Sequence, residues 1–328
     1  MRSVIGWDVG GAHLKAARVE DGRVVGALQV ASPLRLGLDC LVQAFADAKA
    51  RIGAAPLHAV TMTGELADTF SSRAEGVEAL SELAVRELAP HEVVLYAGRA
   101  GFIAPHAAPR HVEDIASANW FASASLVARV LRTALLVDIG STTTDVVPVV
   151  DGAVAARGYT DAERLAAGEL VYTGLVRSFV MSVAERAPFA GRWSSLINEN
   201  FATMADVYRI LGQLPEGVDQ MATADGRAKT IEASRARLAR MIGRDADEGG
   251  EAEWRMVAQW FAERQIHTVV DGAMLVLSST RLPADAPVLG AGIGDALVRE
   301  AARRLGRRHL SFDAVLDVVP QARAQVSH

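Results

Sequence analysis

Val4-Ile5-Gly6-Trp7-Asp8-Val9-Gly10-Gly11-Ala12-His13-Leu14-Lys15 opens the chain, and Leu135-Leu136-Val137-Asp138-Ile139-Gly140-Ser141-Thr142-Thr143-Thr144-Asp145 repeats its pattern near the middle. Each is an apolar run of strand length, then Asp-x-Gly, then small or hydroxyl residues, then a second apolar run at 16–19 or 146–150. A strand that ends in Asp and turns back through glycine sets a carboxylate beside bare backbone N–H groups. Such groups bind phosphate oxygens, and the carboxylate holds the accompanying cation. One such motif alone reads better as a plain turn. A second copy at one lobe's distance predicts a pair of lobes gripping one phosphorylated small molecule.

Outward from the first copy, residues 4–9, 14–19 and 24–30 read as three strands, with Asp21-Gly22 as a hairpin turn. Helical spacing follows at 38–52, a strand at 59–63, a helix at 76–88, a strand at 92–96 and a helix at 119–131. This order predicts an α/β unit. The second half starts the same way, with strands at 135–138, 145–150 and 153–157 and Asp151-Gly152 at the matching turn. That shared turn supports a duplicated fold. Residues 163–280 read as mostly helical, with the charged stretch 244–253 as a solvated loop. A short strand at 288–289, the turn Gly290-Ala291-Gly292-Ile293-Gly294 and a helix at 295–305 follow. The expected domains are 1–132 and 133–328, the second carrying a helical insertion at about 163–280.

The chain has 328 residues, half of them hydrophobic, few aromatic, with a formal net charge of −5. That length suits two domains and a core of Ala, Val and Leu. Without a basic stripe, nucleic acid is not the expected partner. The single cysteine, Cys40, excludes an internal disulfide and a cysteine-built metal site. The most apolar stretch, 120–140, is interrupted by Arg129, Arg132 and Asp138, so no membrane span is expected. No charged segment followed by a long apolar run opens the chain, and a cytoplasmic protein is expected.

Lys15, Lys49 and Lys229 are the only lysines, against many arginines, which singles out Lys15 as a phosphate-neutralising residue. Ser141 to Thr144 offer four consecutive hydroxyls, poor as core but suited to an anion-binding loop. Gly290, Gly292 and Gly294 follow a strand and precede a helix, but Asp295 stands where a dinucleotide fingerprint needs glycine. They read better as a backbone platform under a nucleotide or similar ligand. Thr61-Met62-Thr63-Gly64-Glu65-Leu66-Ala67-Asp68 and Ser117-Ala118-Asn119-Trp120 serve equally as helix caps or as site segments. Polar islands lie at 169–174 and 225–230. Of the eight histidines only His13 lies in a site-like loop, and none has a second ligand at zinc spacing.

The paired Asp-x-Gly hairpins with a late glycine turn resemble the superfamily of actin, sugar kinases and heat-shock chaperone ATPases. That resemblance implies two ribonuclease H-like (actin-like ATPase) lobes closing on a phosphorylated ligand and Mg²⁺. The form Asp-Ile-Gly-Ser-Thr-Thr-Thr-Asp at 138–145 is closer to its hydantoinase/oxoprolinase branch. Within it, the segments at 10–15, 61–68, 117–120, 169–174 and 202–209 resemble a group of tetrahydromethanopterin-linked one-carbon pathway proteins that includes an archaeal enzyme of methanofuran biosynthesis. His13-Leu14 departs from the Asn-Thr expected in the archaeal members.

The resemblance implies a transferase that joins an aminomethylfuran diphosphate to a γ-glutamyltyramine phenol and releases pyrophosphate, using Mg²⁺ and not requiring ATP. Asp8 and Asp138 would be the metal-side carboxylates. Lys15, Gly10, Gly11, Gly140, Ser141, Thr142, Thr143 and Thr144 would bind phosphate. Glu65 or Asp145 would be the base, and Asn119, Trp120 and Tyr172 would wall the substrate. Two alternatives stay open at this point: an ATP-dependent kinase or amide hydrolase, and an actin-like nucleotide switch.

Overall fold

A computed structural model of the protein describes residues 3–319. These form two compact units, one of residues 3–131 with 312–319 and the other of residues 132–311.

In the first unit, β1 (Ser3–Val9), β2 (His13–Glu20), β3 (Arg23–Ala31), β4 (Leu57–Met62), β5 (Glu92–Tyr96) and β6 (Phe102–Ile103) make one sheet in the order β3-β2-β1-β4-β5-β6. β1, β4 and β5 run parallel, while β2 and β3 fold back antiparallel. Alternation along β1 turns Ile5, Trp7 and Val9 into the core. The predicted turn is present, with Asp21 and Gly22 both at positive φ (47° and 85°), the conformation a two-residue hairpin needs. Helix α1 (Asp39–Ile52) buries Leu41, Ala44, Phe45, Ala48 and Ile52, one stripe at helical spacing. Helix α2 (Arg73–Leu88) starts where the Ser72 side chain accepts from the Glu75 amide. The short α3 (Val112–Ile115) and α4 (Asn119–Val130) complete the unit.

The second unit repeats the plan. β7 (Ala134–Ile139), β8 (Thr144–Val150), β9 (Ala153–Val154), β10 (Leu170–Val171), β13 (Val288–Ala291) and β14 (His309–Ser311) form a sheet in the order β10-β8-β7-β13-β14, with β9 also on β8. β7 is again antiparallel to its hairpin partner and parallel to β13, which is parallel to β14. Leu135, Leu136 and Val137 are all buried, as a strand covered on both faces must be. Asp151 and Gly152 reproduce the positive-φ turn (53° and 76°). The fold is therefore α/β, built of two ribonuclease H-like lobes of the actin-like ATPase kind.

Three expectations need correction. The strand foreseen at 153–157 stops at Val154, because the Arg157 and Gly158 amides donate to the buried Glu169 carboxylate (2.7 and 2.9 Å) instead of to a strand. The segment beyond 311, expected with the second lobe, belongs to the first unit. Val24 N donates to the Asp317 carbonyl (2.9 Å), Val319 N donates to the Val24 carbonyl (3.0 Å), and Arg23 pairs with Asp317 (3.1 Å). Residues 320–328 of that expected domain lie outside the described residues.

The third correction concerns the insertion, which is not all helix. It holds α5 (Asp161–Ala167), α6 (Val180–Val183), a hairpin of β11 (Arg186–Phe189) and β12 (Arg192–Ser195), α7 (Met204–Leu211), α8 (Ile231–Met241) and α9 (Glu251–Ser279). α9 already begins within the stretch read as a solvated loop. It buries Trp254, Phe261, Gln265, Ile266 and Val269 against the rest of the unit. α10 (Asp295–Arg304) connects β13 to β14, which ends the lobe. No helix among the described residues is long and apolar enough to cross a membrane.

Candidate functional site

Each unit carries candidate site residues of its own, built on its first hairpin. In the first unit, Asp8, one residue before the end of β1, lies directly opposite Lys15 on β2, so the two side chains share one face of the antiparallel pair. The Lys15 ammonium donates to Asp8 Oδ2 at 3.2 Å, with the lysine half exposed and Asp8 one-fifth exposed. Lys15 therefore stands on the strand beyond the turn, within the strand expected at 14–19.

Asp8 Oδ1 is buried and accepts no hydrogen bond among the described residues. The same holds for the hydroxyl of Thr61, which neighbours Asp8 on the parallel strand β4. Two orphaned oxygens side by side fit a hard cation or a donor brought by a ligand. The turn itself is closed by Gly10 N donating to the His13 carbonyl (2.9 Å), so the Gly10 amide is not available to phosphate. The amides of Gly11 and Ala12 donate to nothing among the described residues.

Behind β4 the chain turns through Thr63 and Gly64, whose amides both donate to the Val9 carbonyl (2.9 and 3.0 Å). Gly64 is required there: a Cβ would sit 2.6 Å from Leu34 Cδ1 and 3.2 Å from the Val9 carbonyl oxygen. Glu65 follows, almost fully buried, and accepts from the Ser117 hydroxyl at 3.0 Å. Ser117 holds positive φ (53°), a conformation costly for a residue with a Cβ. The segments 61–68 and 117–120, separate in sequence, thus meet at one buried carboxylate. Asn119 begins α4, where its Oδ1 accepts from the Trp120 amide (2.7 Å). Trp120 is buried (4% exposed) edge-on to Phe121, so it packs the unit and does not wall a ligand.

In the second unit Asp138 ends β7, and Gly292 (φ 76°) lies against it: a Cβ there would meet Asp138 Oδ1 at 2.3 Å. The Gly140 amide donates to the Thr143 carbonyl (2.9 Å), which removes Gly140 from the phosphate donors as it did Gly10. Ser141 and Thr142 keep amides that donate to nothing among the described residues, and their hydroxyls lie 3.3 Å apart. Thr143 is half-buried at the turn. Thr144 is corrected. Its hydroxyl is fully buried and donates to the Thr173 carbonyl (2.7 Å), so it ties β8 to the next loop and faces no ligand. Asp145, directly opposite Asp138, accepts from the buried Arg164 guanidinium at 2.7 Å. That engagement removes it as the base.

The late glycines serve the strand rather than a platform. Gly290 lies within β13 beneath the Asp295–His309 pair (2.8 Å), where a Cβ would meet Asp295 Oδ1 at 2.1 Å. Gly294 donates its amide to the Ile139 carbonyl (3.0 Å). Since Asp8 neighbours Thr61 as Asp138 neighbours Ala291, this turn is the second unit's copy of Thr61 to Glu65, with Asp295 in the place of Glu65.

Two residues escaped the sequence reading. Arg177 reaches the Thr142 hydroxyl with its guanidinium (3.4 Å). Gln265, inside α9, donates to Thr173 Oγ1 (2.7 Å) and the Gly174 carbonyl (2.8 Å) and accepts from Tyr208 (2.6 Å). Burial, then the Glu263 charge, pushes the Tyr208 phenol well above its usual range, so it stays a donor. The motif at 202–209 is thereby explained as a support: Tyr208 reaches Gln265, while Asp206 pairs with the buried Arg237 (2.7 Å). Tyr172, by contrast, is 69% exposed. The polar island at 225–230 joins the support, with Asp225 pairing with Arg237 (3.1 Å) and Lys229 donating to the Asp219 carbonyl. His13 is buried.

The profile of the hydantoinase/oxoprolinase family matches residues 57–315. The chain belongs to this family. Among relatives, a (4-{4-[2-(gamma-L-glutamylamino)ethyl]phenoxymethyl}furan-2-yl)methanamine synthase of Methanocaldococcus jannaschii is 31% identical over 245 residues, covering 74% of this chain and 72% of the archaeal one. A protein of the same name from Methanococcus vannielii is 27% identical over 174 residues, 53% of this chain and 77% of its own. Among solved structures, nucleotide-free acetone carboxylase aligns with a TM-score of 0.56 at 10% identity, over 93% of this chain and 67% of that one, a likeness of fold alone. The family profile opens at Leu57, so this member's first hairpin lies outside the match and rests on its own geometry.

Proposed function

We propose that this hydantoinase/oxoprolinase-family member is a transferase of cofactor biosynthesis. It would join an aminomethylfuran diphosphate to the phenol of a γ-glutamyltyramine-type acceptor and release pyrophosphate. The synthase relatives support the transferase class. The observation that carries the phosphate chemistry is the Asp8–Lys15 pair beside the unbonded Gly11 and Ala12 amides.

The furanylmethyl carbon spreads positive charge into its ring, so its C–O bond to the diphosphate breaks with the electron pair leaving on pyrophosphate. A phenol oxygen lone pair then forms the new ether bond, and the phenolic proton passes to a base. The protein's task is to stabilise the departing charge. In the first unit Lys15 and the turn amides of Gly11 and Ala12 are suited to this, and the second unit offers the turn amides of Ser141 and Thr142. Glu65 is the base candidate, since Arg164 occupies Asp145.

Among the described residues no group of three or more His, Cys, Asp or Glu forms a metal cage. A Mg²⁺ taken up with its phosphates needs only one or two carboxylates. Asp8, with its orphaned Oδ1, fits that role, and Asp138 is the corresponding carboxylate of the second unit. Mg²⁺ held there would neutralise charge on the leaving pyrophosphate.

The test is direct. Purified protein is incubated with Mg²⁺ and either ATP or the furan diphosphate plus a tyramine acceptor, and pyrophosphate and ADP are assayed. Pyrophosphate with ether product is expected. Robust ADP formation without pyrophosphate would overturn the transferase reading in favour of a kinase or hydrolase.

A further inference from the structure

The loop that clamps the second hairpin carries a cation that no motif marks. Residues 173–178 lie against the hydroxyl turn so closely that a Cβ on Gly174 would stand 2.5 Å from Thr142 N and 2.6 Å from Ser141 C. Leu175 N donates to the Gly140 carbonyl (2.9 Å), and Val176 N and Arg177 N both donate to the Ser141 carbonyl (3.1 and 2.7 Å). From behind, buried Gln265 holds Thr173 and Gly174, and the buried Ser178 hydroxyl accepts from Gly174 N (2.7 Å). The backbone position of Arg177 is thus fixed by groups other than its own side chain.

That side chain is half-buried over the turn. Its guanidinium donates to Thr142 Oγ1, and no carboxylate pairs with it among the described residues. Other arginines of this unit differ: Arg164 has Asp145, Arg209 has Asp206 and Asp219, and Arg237 has Asp206 and Asp225. An arginine held rigidly beside two unbonded amides and two hydroxyls, without a counter-charge, is built for an anion. Its planar fork suits the paired oxygens of a phosphate.

We propose that Arg177 is the phosphate-binding cation of the second unit, receiving the oxygens of a diphosphate together with Thr142 and the Ser141 and Thr142 amides. This rests on the proposed function for the identity of the ligand, and on the geometry alone for its chemical class. It supplies in the second hairpin, whose cross-strand position is Asp145, the positive charge that Lys15 supplies in the first.

The experiment titrates wild type, Arg177→Gln and Arg177→Lys with Mg²⁺-pyrophosphate and, separately, Mg²⁺-ATP by calorimetry, with thermal unfolding as the control for folding. Arg177→Gln is expected to bind pyrophosphate about 30-fold more weakly than wild type, Arg177→Lys about 5-fold, on the scale of a lost charge-assisted hydrogen bond. Both should unfold as wild type does, since the loop is held by its backbone. Pyrophosphate affinity unchanged in Arg177→Gln overturns the assignment and leaves the transferase reading intact. Wild type that binds ATP but not pyrophosphate overturns the transferase reading, while weaker ATP binding by Arg177→Gln still supports Arg177 as a phosphate ligand. Wild type that binds neither overturns both.

Discussion

Laid over one another, the two hairpins agree in backbone and disagree in charge. Both turns close with an amide-to-carbonyl bond of 2.9 Å (Gly10 to His13, Gly140 to Thr143). Both strands are then capped by a glycine amide at 3.0 Å (Gly64 to Val9, Gly294 to Ile139). Opposite the conserved-in-place Asp, however, one unit has Lys15 and the other Asp145. In the first, the lysine is half exposed and Asp8 is one-fifth exposed. In the second, the carboxylate is turned to a nearly inaccessible guanidinium, Arg164. One copy of the device carries a partly exposed ion pair at this position, and the other holds the same position in a buried, structural one.

The strongest way to break this contrast is to remove both cross-strand residues in turn. Asp145→Ala strips the partner from a buried arginine and should cost about 3 kcal/mol of stability, read as a shift in urea midpoint. Lys15→Ala removes an exposed partner and should cost under about 1 kcal/mol. Its effect should fall on turnover, with kcat/KM for pyrophosphate release down about 100-fold. A Lys15→Ala protein with full activity would end the phosphate role of the first hairpin, and an Asp145→Ala protein as stable as wild type would end the structural role of the second.

A smaller effect separates the turns themselves. Gly11 has open space where a Cβ would go, whereas Gly174, pressed on the second turn, has none. Gly174→Ala should destabilise by about 2 kcal/mol through overpacking and weaken pyrophosphate binding. Gly11→Ala should leave stability within about 0.5 kcal/mol. Thermal unfolding of the two variants side by side reads the difference.

Much of this was legible in the chain itself. The two Asp-x-Gly turns, the Asp21-Gly22 and Asp151-Gly152 hairpins and the apolar strands beside them carry local signals, because turn chemistry and strand alternation are written in adjacent residues. What stayed hidden depends on contacts between distant residues. Thr144 looks like any hydroxyl of its run until the Thr173 carbonyl is seen to accept its hydrogen bond. Trp120 reads as a substrate wall until its burial is known, and Gly290 as a platform until Asp295 and His309 cover it. Arg177 follows the Glu169 to Gly174 island by three residues. Only the fold of the 173–178 loop gives it meaning. The equivalence of the turn at 61–65 with that at 291–295 was within reach, since both follow a strand beside an Asp-bearing one, but their sequences share only glycine and an acid.

The last contrast lies one strand further in. His58 on β4 neighbours Ile5 of β1, and the corresponding place in the second unit, beside Leu135, is Val288. His58 is buried and its Nδ1 accepts from the Trp7 indole at 2.9 Å, an arrangement available only to the neutral ring. Burial, then the nearby His91, lowers its pKa from 6.5 to about 4. Between these values the unfolded chain binds a proton that the folded one refuses. Stability of the first unit is therefore complete above pH 6.5 and falls as the pH drops toward 4. Hydrogen exchange, corrected for its intrinsic pH dependence, should show β1 and β4 losing protection from pH 7 to pH 5 while β7 and β13 keep theirs. His58→Val, which copies the second unit, should remove most of that loss. Equal loss in both sheets would mean that the histidine does not distinguish them, and that the two copies differ only at their cross-strand charges.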